Sequence, residues 1–375
     1  MRIAIDAHSI GTGLGGNESY ATNLIEALAE IDPVNQYTLY VTRLEARKRF
    51  NNRWPNVSVR ATLPHTPLIR IPVTLSAELR RNPVDVLHVQ YTSPPFVPCP
   101  VVVSIHDLSF EHLPQTFKRR SRTQLRITVP RSARKAAQVI ALSEYGRSDM
   151  INTYDISPDK VSVIPLAAPD YFAPVEDEKE LERVRQTYGL EKDYILCVGS
   201  IQPRKNLSRL IAAYSRLRRA RPGGKLPQLV LAGKFAWLYA ETLRTIKELE
   251  LLNSVILTGY VPQADLPALY SGALCFVYPS YFEGFGLPPL EAMKCGVPVV
   301  VGNKTSLPEI VGEAGLLVDP FDVDAIAAAI EKVAFDSNLR AQLRVKGLAR
   351  SRLFDWRETA RQTLAVYKRA AESIK

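Results

Sequence analysis

The chain has 375 residues, of which 46% are hydrophobic and 23% charged, and it carries a net charge of +10. No apolar run approaches the roughly 18 residues that a membrane-spanning helix needs. The N-terminal "MRIAIDAHS" lacks the roughly 7–15-residue apolar stretch of a signal peptide, so the reading is a cytosolic protein of two domains at about 100–200 residues each.

Strand one is "RIAID", and it is followed by "AHSIGTGLGGNESY". There Gly11, Gly13 and Gly16 match G-x-G-x-x-G. A dinucleotide fingerprint needs its first glycine directly after the strand and an acid closing strand two. Here four residues intervene, and "YTLYVT" is followed by Arg43. The loop therefore reads as a mobile glycine-rich flap whose N–H groups can approach a diphosphate, with Asn17 capping the following helix. The strands "VSVRA", "VDVLHV", "PVVVSIH", "AQVIALS" and "VSVIPL" complete the first half.

Between two of these strands lies "TFKRRSRTQLRITVPRSARKA", with Lys118, Arg119, Arg120, Arg122, Arg126, Arg131, Arg134 and Lys135 and no acid. Residues 1–150 hold 19 Lys/Arg against 12 Asp/Glu, so the basic excess is concentrated here. Such an excess calls for an anionic partner: a phosphate, an acidic lipid surface or nucleic acid. The aromatic residues do not interleave with the basic run, and no nucleic-acid module is recognisable, which argues against nucleic acid.

A proline-rich and then acidic seam, "PLAAPDYFAPVEDEKE", separates the halves, giving domains 1–170 and 171–354. The second half reads "YILCVGS", "QLVLAG", "SVILTG", "LCFVYPS", "PVVVG" and "GLLVD" as strands. In both halves the strands are short, continuous Val/Ile/Leu runs separated by helical patterns. That is how the doubly buried strands of a parallel sheet read, so each half is predicted to be a doubly wound α/β domain. Residues 355–375 form a last amphipathic helix that can pack back onto the first domain. Cys99, Cys197, Cys275 and Cys295 form no C-x-x-C and read as reduced core residues.

Two loops of the second half carry the chemistry. In "VGSIQPRKNL", Arg204 and Lys205 follow a strand and precede a helix, where open α/β sheets bind ligands. In "FEGFGLPPLEAMKCG", Glu283 lies in the post-strand loop, Pro288 and Pro289 mark a helix start, and Glu291 is expected in its first turn, beside free backbone N–H groups. A carboxylate can hold a ribose diol while amides hold phosphate. The one D-x-D, at Asp322 and Asp324, reads as a helix cap through Asp322, and no metal ligands are assigned.

Taken together, "GGNESY", "SIHDL", "ALSEYGRSD", "VGSIQPRKNL", "LTGYVPQADLPALYSGA", "FEGFGLPPLEAM" and "SLPEIVGEAGLLVDP" stand in the order found in the retaining glycosyltransferases of family 4, also called group 1, which this chain resembles along nearly its whole length. The resemblance implies the GT-B fold: two Rossmann-like domains facing a central cleft, with the C-terminal helix crossing back to the N-terminal domain. It implies that the first domain meets the acceptor and the second the nucleotide sugar. Glu291 would hold the ribose, Glu283 the sugar hydroxyls, Arg204 and Lys205 the diphosphate, with the Gly286 and Leu287 amides also facing phosphate. Gly15 and Gly16 would close over the diphosphate, and His106 would meet the sugar near the reacting carbon. Many relatives carry Arg where Ser200 stands; here the adjacent Arg204 and Lys205 would replace the usual pair.

The implied activity is transfer of a sugar from a nucleotide diphosphate donor to a glycan or lipid-linked acceptor, with no cofactor and no metal. Resemblance to bacterial polysaccharide mannosyltransferases favours GDP-mannose; a UDP-sugar glucosyltransferase, a nucleotide-sugar epimerase and a phosphorylase are the alternatives within the fold. Lys118, Arg119, Arg120 and Arg122 would contact the acceptor or the anionic inner face of a membrane.

Overall fold

The computed structural model describes residues 1–13, 15–221, 226–236 and 238–373. These residues form two compact units, Met1–Leu166 with Asp355–Lys375, and Ala167–Phe354. Each unit is built on one parallel sheet.

In the first unit the strands are β1 (Arg2–Asp6), β2 (Gln36–Val41), β3 (Val57–Ala61), β4 (Val86–Gln90), β5 (Val101–Ile105), β6 (Gln138–Ala141) and β7 (Val161–Val163). Their order is β3-β2-β1-β4-β5-β6-β7. β1 pairs in parallel with both β2 and β4, Ile3 lying opposite Tyr37 on one side and Val86 on the other. Every residue of β4 and β5 is buried, which is why these strands read as continuous apolar runs. In the second unit the strands are β8 (Tyr194–Val198), β9 (Gln228–Ala232), β10 (Val255–Gly259), β11 (Cys275–Tyr278), β12 (Val299–Gly302) and β13 (Gly315–Val318), in the order β10-β9-β8-β11-β12-β13. This is the doubly wound α/β architecture expected from the alternation of apolar strands and helices. In both sheets the strand order reverses beside the unit's first strand, between β1 and β4 and between β8 and β11. The carboxyl ends of those strands are where such sheets bind ligands.

Five helices position the residues of interest: α1 (Gly16–Ile31), α2 (Arg119–Lys135), α3 (Leu207–Ala220), α4 (Leu287–Lys294) and α5 (Trp356–Glu372). α5 belongs to the first unit. Asp355 caps it by accepting from Arg357 N at 3.0 Å, and the Thr359 hydroxyl donates to the Pro165 carbonyl at 2.7 Å. Its Ala360, Thr363, Val366, Tyr367 and Ala370 are buried against α1 and the sheet. The four cysteines are buried and free, two of them inside β8 and β11. Asp322 caps the helix Val323–Phe335, accepting from Asp324 N at 2.8 Å and Ala325 N at 3.0 Å.

Candidate active site

At the switch point of the second sheet, the loop after β8 and the loop after β11 are joined by charge. Pro203–Lys205 forms a single 3₁₀ turn, and Asn206, in the left-handed region at φ 61°, opens α3. Lys205 Nζ lies 2.6 Å from Glu283 Oε1, and Arg204 Nη1 lies 2.6 Å from Glu283 Oε2. Ser280 donates its hydroxyl to Glu283 Oε1 at 2.6 Å, Arg204 also donates to the Phe282 carbonyl at 2.8 Å, and Lys205 donates to the Tyr278 hydroxyl. Lys205 and Glu283 are only 7% and 6% exposed. Burial alone would push the Glu283 carboxyl up. The Arg204 and Lys205 charges, with the hydrogen bonds from Lys205 and Ser280, overcome this and hold it at about 2. Burial and the neighbouring Arg204 charge pull Lys205 down to about 8, against the pull of Glu283. The predicted cation pair and carboxylate are thus one preformed cluster, with two positive charges sharing one negative. Ser200 is exposed in the same loop.

Gly286 is the N-cap of α4 at φ 113°, and a Cβ there would stand 2.8 Å from Leu307 Cδ2, so the position admits only glycine without strain. Of the four N–H groups a helix start leaves unpaired, Pro288 and Pro289 have none, so Gly286 and Leu287, the two the sequence singled out, supply the remaining two. Glu291 is corrected: α4 begins at Leu287, which puts Glu291 fifth, in the second turn. Its Oε2 accepts from the Tyr270 hydroxyl at 2.8 Å. Burial raises its carboxyl to about 7, although the Tyr270 bond opposes this.

In the first unit, the cap of α1 is Gly15 at φ 57°, with no side-chain cap bond, and Asn17 lies inside the helix; the expectation of an Asn17 cap was wrong. Glu18 N and Ser19 N both donate to the Gly15 carbonyl at 3.0 Å. The Glu18 carboxylate then reaches back to accept from Gly11 N at 2.8 Å and Gly13 N at 2.7 Å. The glycine loop is therefore fastened at two amides rather than a free flap, and Gly15 and Gly16 are exposed. His106 follows β5 at its carboxyl end and is 8% exposed. Burial pulls it down to about 4, so the ring is neutral, and its Nε2 has no hydrogen-bond partner among the described residues. The Tyr20 ring of α1 meets it edge-on, with centroids 4.7 Å apart.

Lys118, Arg119 and Arg120 are exposed at the start of α2 and Arg122 is half-buried. Glu111 supplies a counter-charge that the segment's own sequence does not show, pairing with Arg126 at 2.8 Å. A surface groove of about 520 Å³ runs along α2, lined among others by Arg126, Ile127, Pro130, Arg131 and Arg134. No helix among the described residues is long and apolar enough to cross a membrane.

Sequence reading missed Glu18, Tyr270, Tyr278 and Ser280. The tyrosines look like core residues, and only the position of Tyr278 and Ser280 at a strand's carboxyl end could have drawn attention to them.

Two family models match the chain, Glycosyltransferase Family 4 over residues 14–168 and Glycosyl transferases group 1 over residues 178–350. The chain is 37% identical over 268 residues to the O-antigen chain mannosyltransferase B of Escherichia coli, covering 71% of this chain and 70% of that one. It is 33% identical over 253 residues to a GDP-mannose-dependent alpha-(1-6)-phosphatidylinositol monomannoside mannosyltransferase of Mycolicibacterium smegmatis, spanning 64% of this chain and 62% of that relative. Its fold matches that of Anabaena HepE in complex with UDP and glucose with a TM-score of 0.77, at 19% identity and over 98% of this chain and 99% of that one. The chain belongs to the family 4, group 1 glycosyltransferases and has their GT-B fold; it is a sugar-transferring enzyme.

Proposed function

We propose that this glycosyltransferase moves mannose from GDP-mannose to a glycan or lipid-linked acceptor, with retention of the anomeric configuration and without a metal. The observation that carries the reading is the Arg204–Glu283–Lys205 cluster at the β8/β11 switch point. A diphosphate entering there competes with Glu283 for both cations. Arg204 and Lys205 then neutralise the charge that grows on the leaving group, the work a divalent ion would otherwise do. The Gly286 and Leu287 amides add two donors. Glu283, released from part of its ion pairing, turns to the sugar hydroxyls, and Glu291 accepts from the ribose.

The first unit meets the acceptor. The acceptor oxygen forms its bond to the anomeric carbon on the face from which the diphosphate departs, and the departing phosphate oxygen takes the acceptor's proton. Neutral His106 serves as a hydrogen-bonding partner of the sugar, and Gly15 and Gly16 face the diphosphate. The exposed cations at the start of α2 favour an anionic acceptor or an anionic membrane surface. Two mannosyltransferases among the relatives, one of them GDP-mannose-dependent by name, support the donor.

The test is calorimetric titration of GDP and UDP, followed by turnover of GDP-mannose and UDP-glucose with and without EDTA. Tighter GDP binding and EDTA-resistant turnover of GDP-mannose are expected. Turnover of UDP-glucose alone replaces the donor, and a strict need for a divalent ion overturns the metal-free mechanism.

A further inference from the structure

Four side chains that the proposed reaction does not use form an unbroken buried line through the first unit. The Tyr367 hydroxyl of α5 lies 2.6 Å from His88 Nδ1 on β4. His88 Nε2 lies 2.7 Å from Ser104 Oγ on β5, and Ser104 Oγ lies 2.7 Å from the Tyr20 hydroxyl on α1. None of the four is more than 3% exposed. The line ends at His106: Tyr20 meets its ring edge-on, with the planes at 65°, and Tyr91 is a second ring neighbour at 5.4 Å. Ser104 and His106 stand two residues apart on and just after β5, so extended backbone points both to one face.

Polar groups buried in an apolar interior are costly unless every member finds a partner, so a fully matched line holds one arrangement. The histidine in the middle makes the line act as a unit. Burial keeps His88 neutral, at about 3. A neutral imidazole has one donor and one acceptor nitrogen, so the sense of its bond to Tyr367 fixes the sense of its bond to Ser104. Where His88 Nε2 accepts, Ser104 gives it its one proton and must accept from the Tyr20 hydroxyl; where Nε2 donates, Ser104 is free to give its proton to Tyr20.

We propose that Tyr20 is the positioning residue of His106, and that α5 sets it through Tyr367, His88 and Ser104. The proposal rests on the reading of His106 as the group that meets the transferring sugar. It gives the C-terminal helix a part in the chemistry beyond covering the sheet: a hydroxyl near the end of the chain fixes one wall of the histidine's pocket.

Tyr367→Phe keeps the ring and removes the link to His88, Tyr20→Phe removes the other end, and Ser104→Ala cuts the middle. Each is made in the full chain and read by GDP-mannose turnover, by thermal melting and by the His106 ring signals in ¹H–¹⁵N spectra. The expected result is a fall in kcat of about tenfold or more in each, donor KM within about twofold, and displaced His106 signals; the Tyr20→Phe/Tyr367→Phe double variant is no worse than either single one, as coupled residues require. Unmoved His106 signals in both Tyr367→Phe and Ser104→Ala, with only the melting temperature lowered, overturn the proposal, and so do additive losses in the double variant. His106→Ala separates the two readings. If it retains full turnover while Tyr367→Phe still displaces the wild-type His106 signals, the positioning stands and the sugar-facing role of His106 falls.

Discussion

Glu283 is held on both oxygens by cations, and Glu291 is held on one by a tyrosine. The two carboxyls are tuned in opposite directions: against burial, the cations hold Glu283 down at about 2, and burial, against the Tyr270 bond, lifts Glu291 to about 7. A carboxylate that accepts ribose hydroxyls must be ionised, so donor capture should fall as pH drops below about 7, where Glu291 takes up a proton. Lys205 must be protonated to attract a diphosphate, so capture should also fall as pH rises above about 8. The pH profile of kcat/KM, which reports free-enzyme groups, should be a narrow bell with its shoulders near these values. Glu291→Gln should remove the acid shoulder and Lys205→Arg the basic one; a profile flat across both values would remove these groups from donor capture. Glu291→Ala should weaken nucleotide diphosphate binding by about 1.5–3 kcal/mol, the cost of hydrogen bonds to a charged group. Unchanged calorimetric affinity would take Glu291 out of the site. That Arg204, Lys205 and Glu283 would come together was legible from their places in post-strand loops, whereas the turn of α4 that carries Glu291 was misplaced. Their tyrosine partners were not legible, because Tyr270 and Tyr278 differ from core tyrosines only in where their hydroxyls end.

The helix starts are where pattern and structure part. The apolar runs marked out the thirteen described strands, most plainly where a strand such as β4 or β5 is buried on both faces and leaves little choice of residue type. Helix caps are subtler. Asn17 offers a side-chain acceptor, but α1 starts earlier, on the carbonyl of Gly15, and the acid that fastens the loop is Glu18. Glu291 moved to the second turn because α4 starts at Leu287, ahead of the two prolines that were read as its first residues. At the other cap, Gly286→Ala would force a left-handed alanine against buried Leu307. Such strain costs about 1–3 kcal/mol, and because the Gly286 and Leu287 amides move with it, nucleotide affinity should fall along with the melting temperature. A variant that melts lower but binds GDP normally would show that these amides do not face phosphate. On α2, replacing Lys118, Arg119, Arg120 and Arg122 with Gln should reduce sedimentation with anionic vesicles, at about 1 kcal/mol per basic residue near the surface. Binding should weaken with salt, since exposed charges are screened beyond about 10 Å at 0.1 M. Equal binding to neutral and anionic vesicles would leave α2 as an acceptor surface or a solvated face.

At the scale of the molecule, the chain writes the same six-strand order twice, reversing beside β1 and again beside β8, with β7 added at the edge of the first sheet. It then spends its last residues on the first unit rather than the second. The buried face of α5, with Val366 at 1% and Tyr367 at 0% exposure, covers α1 and the first sheet. Truncation after Phe354 would strip that cover. Fully burying one large apolar side chain contributes about 1.5–3 kcal/mol, and His88 would lose the Tyr367 hydroxyl at the same time. A loss of several such terms is comparable with the whole stability of an ordinary domain, about 5–15 kcal/mol. The truncated chain should therefore lose the cooperative melting of its first unit. Arg204, Lys205, Glu283, Gly286 and Glu291 all lie in the second unit, Ala167–Phe354. If donor binding is carried mainly there, GDP should still raise the remaining calorimetric transition of the truncated protein, although GDP-mannose turnover is lost. A truncated protein with an intact second transition that no longer responds to GDP would mean that the nucleotide depends on the first unit as much as on the second.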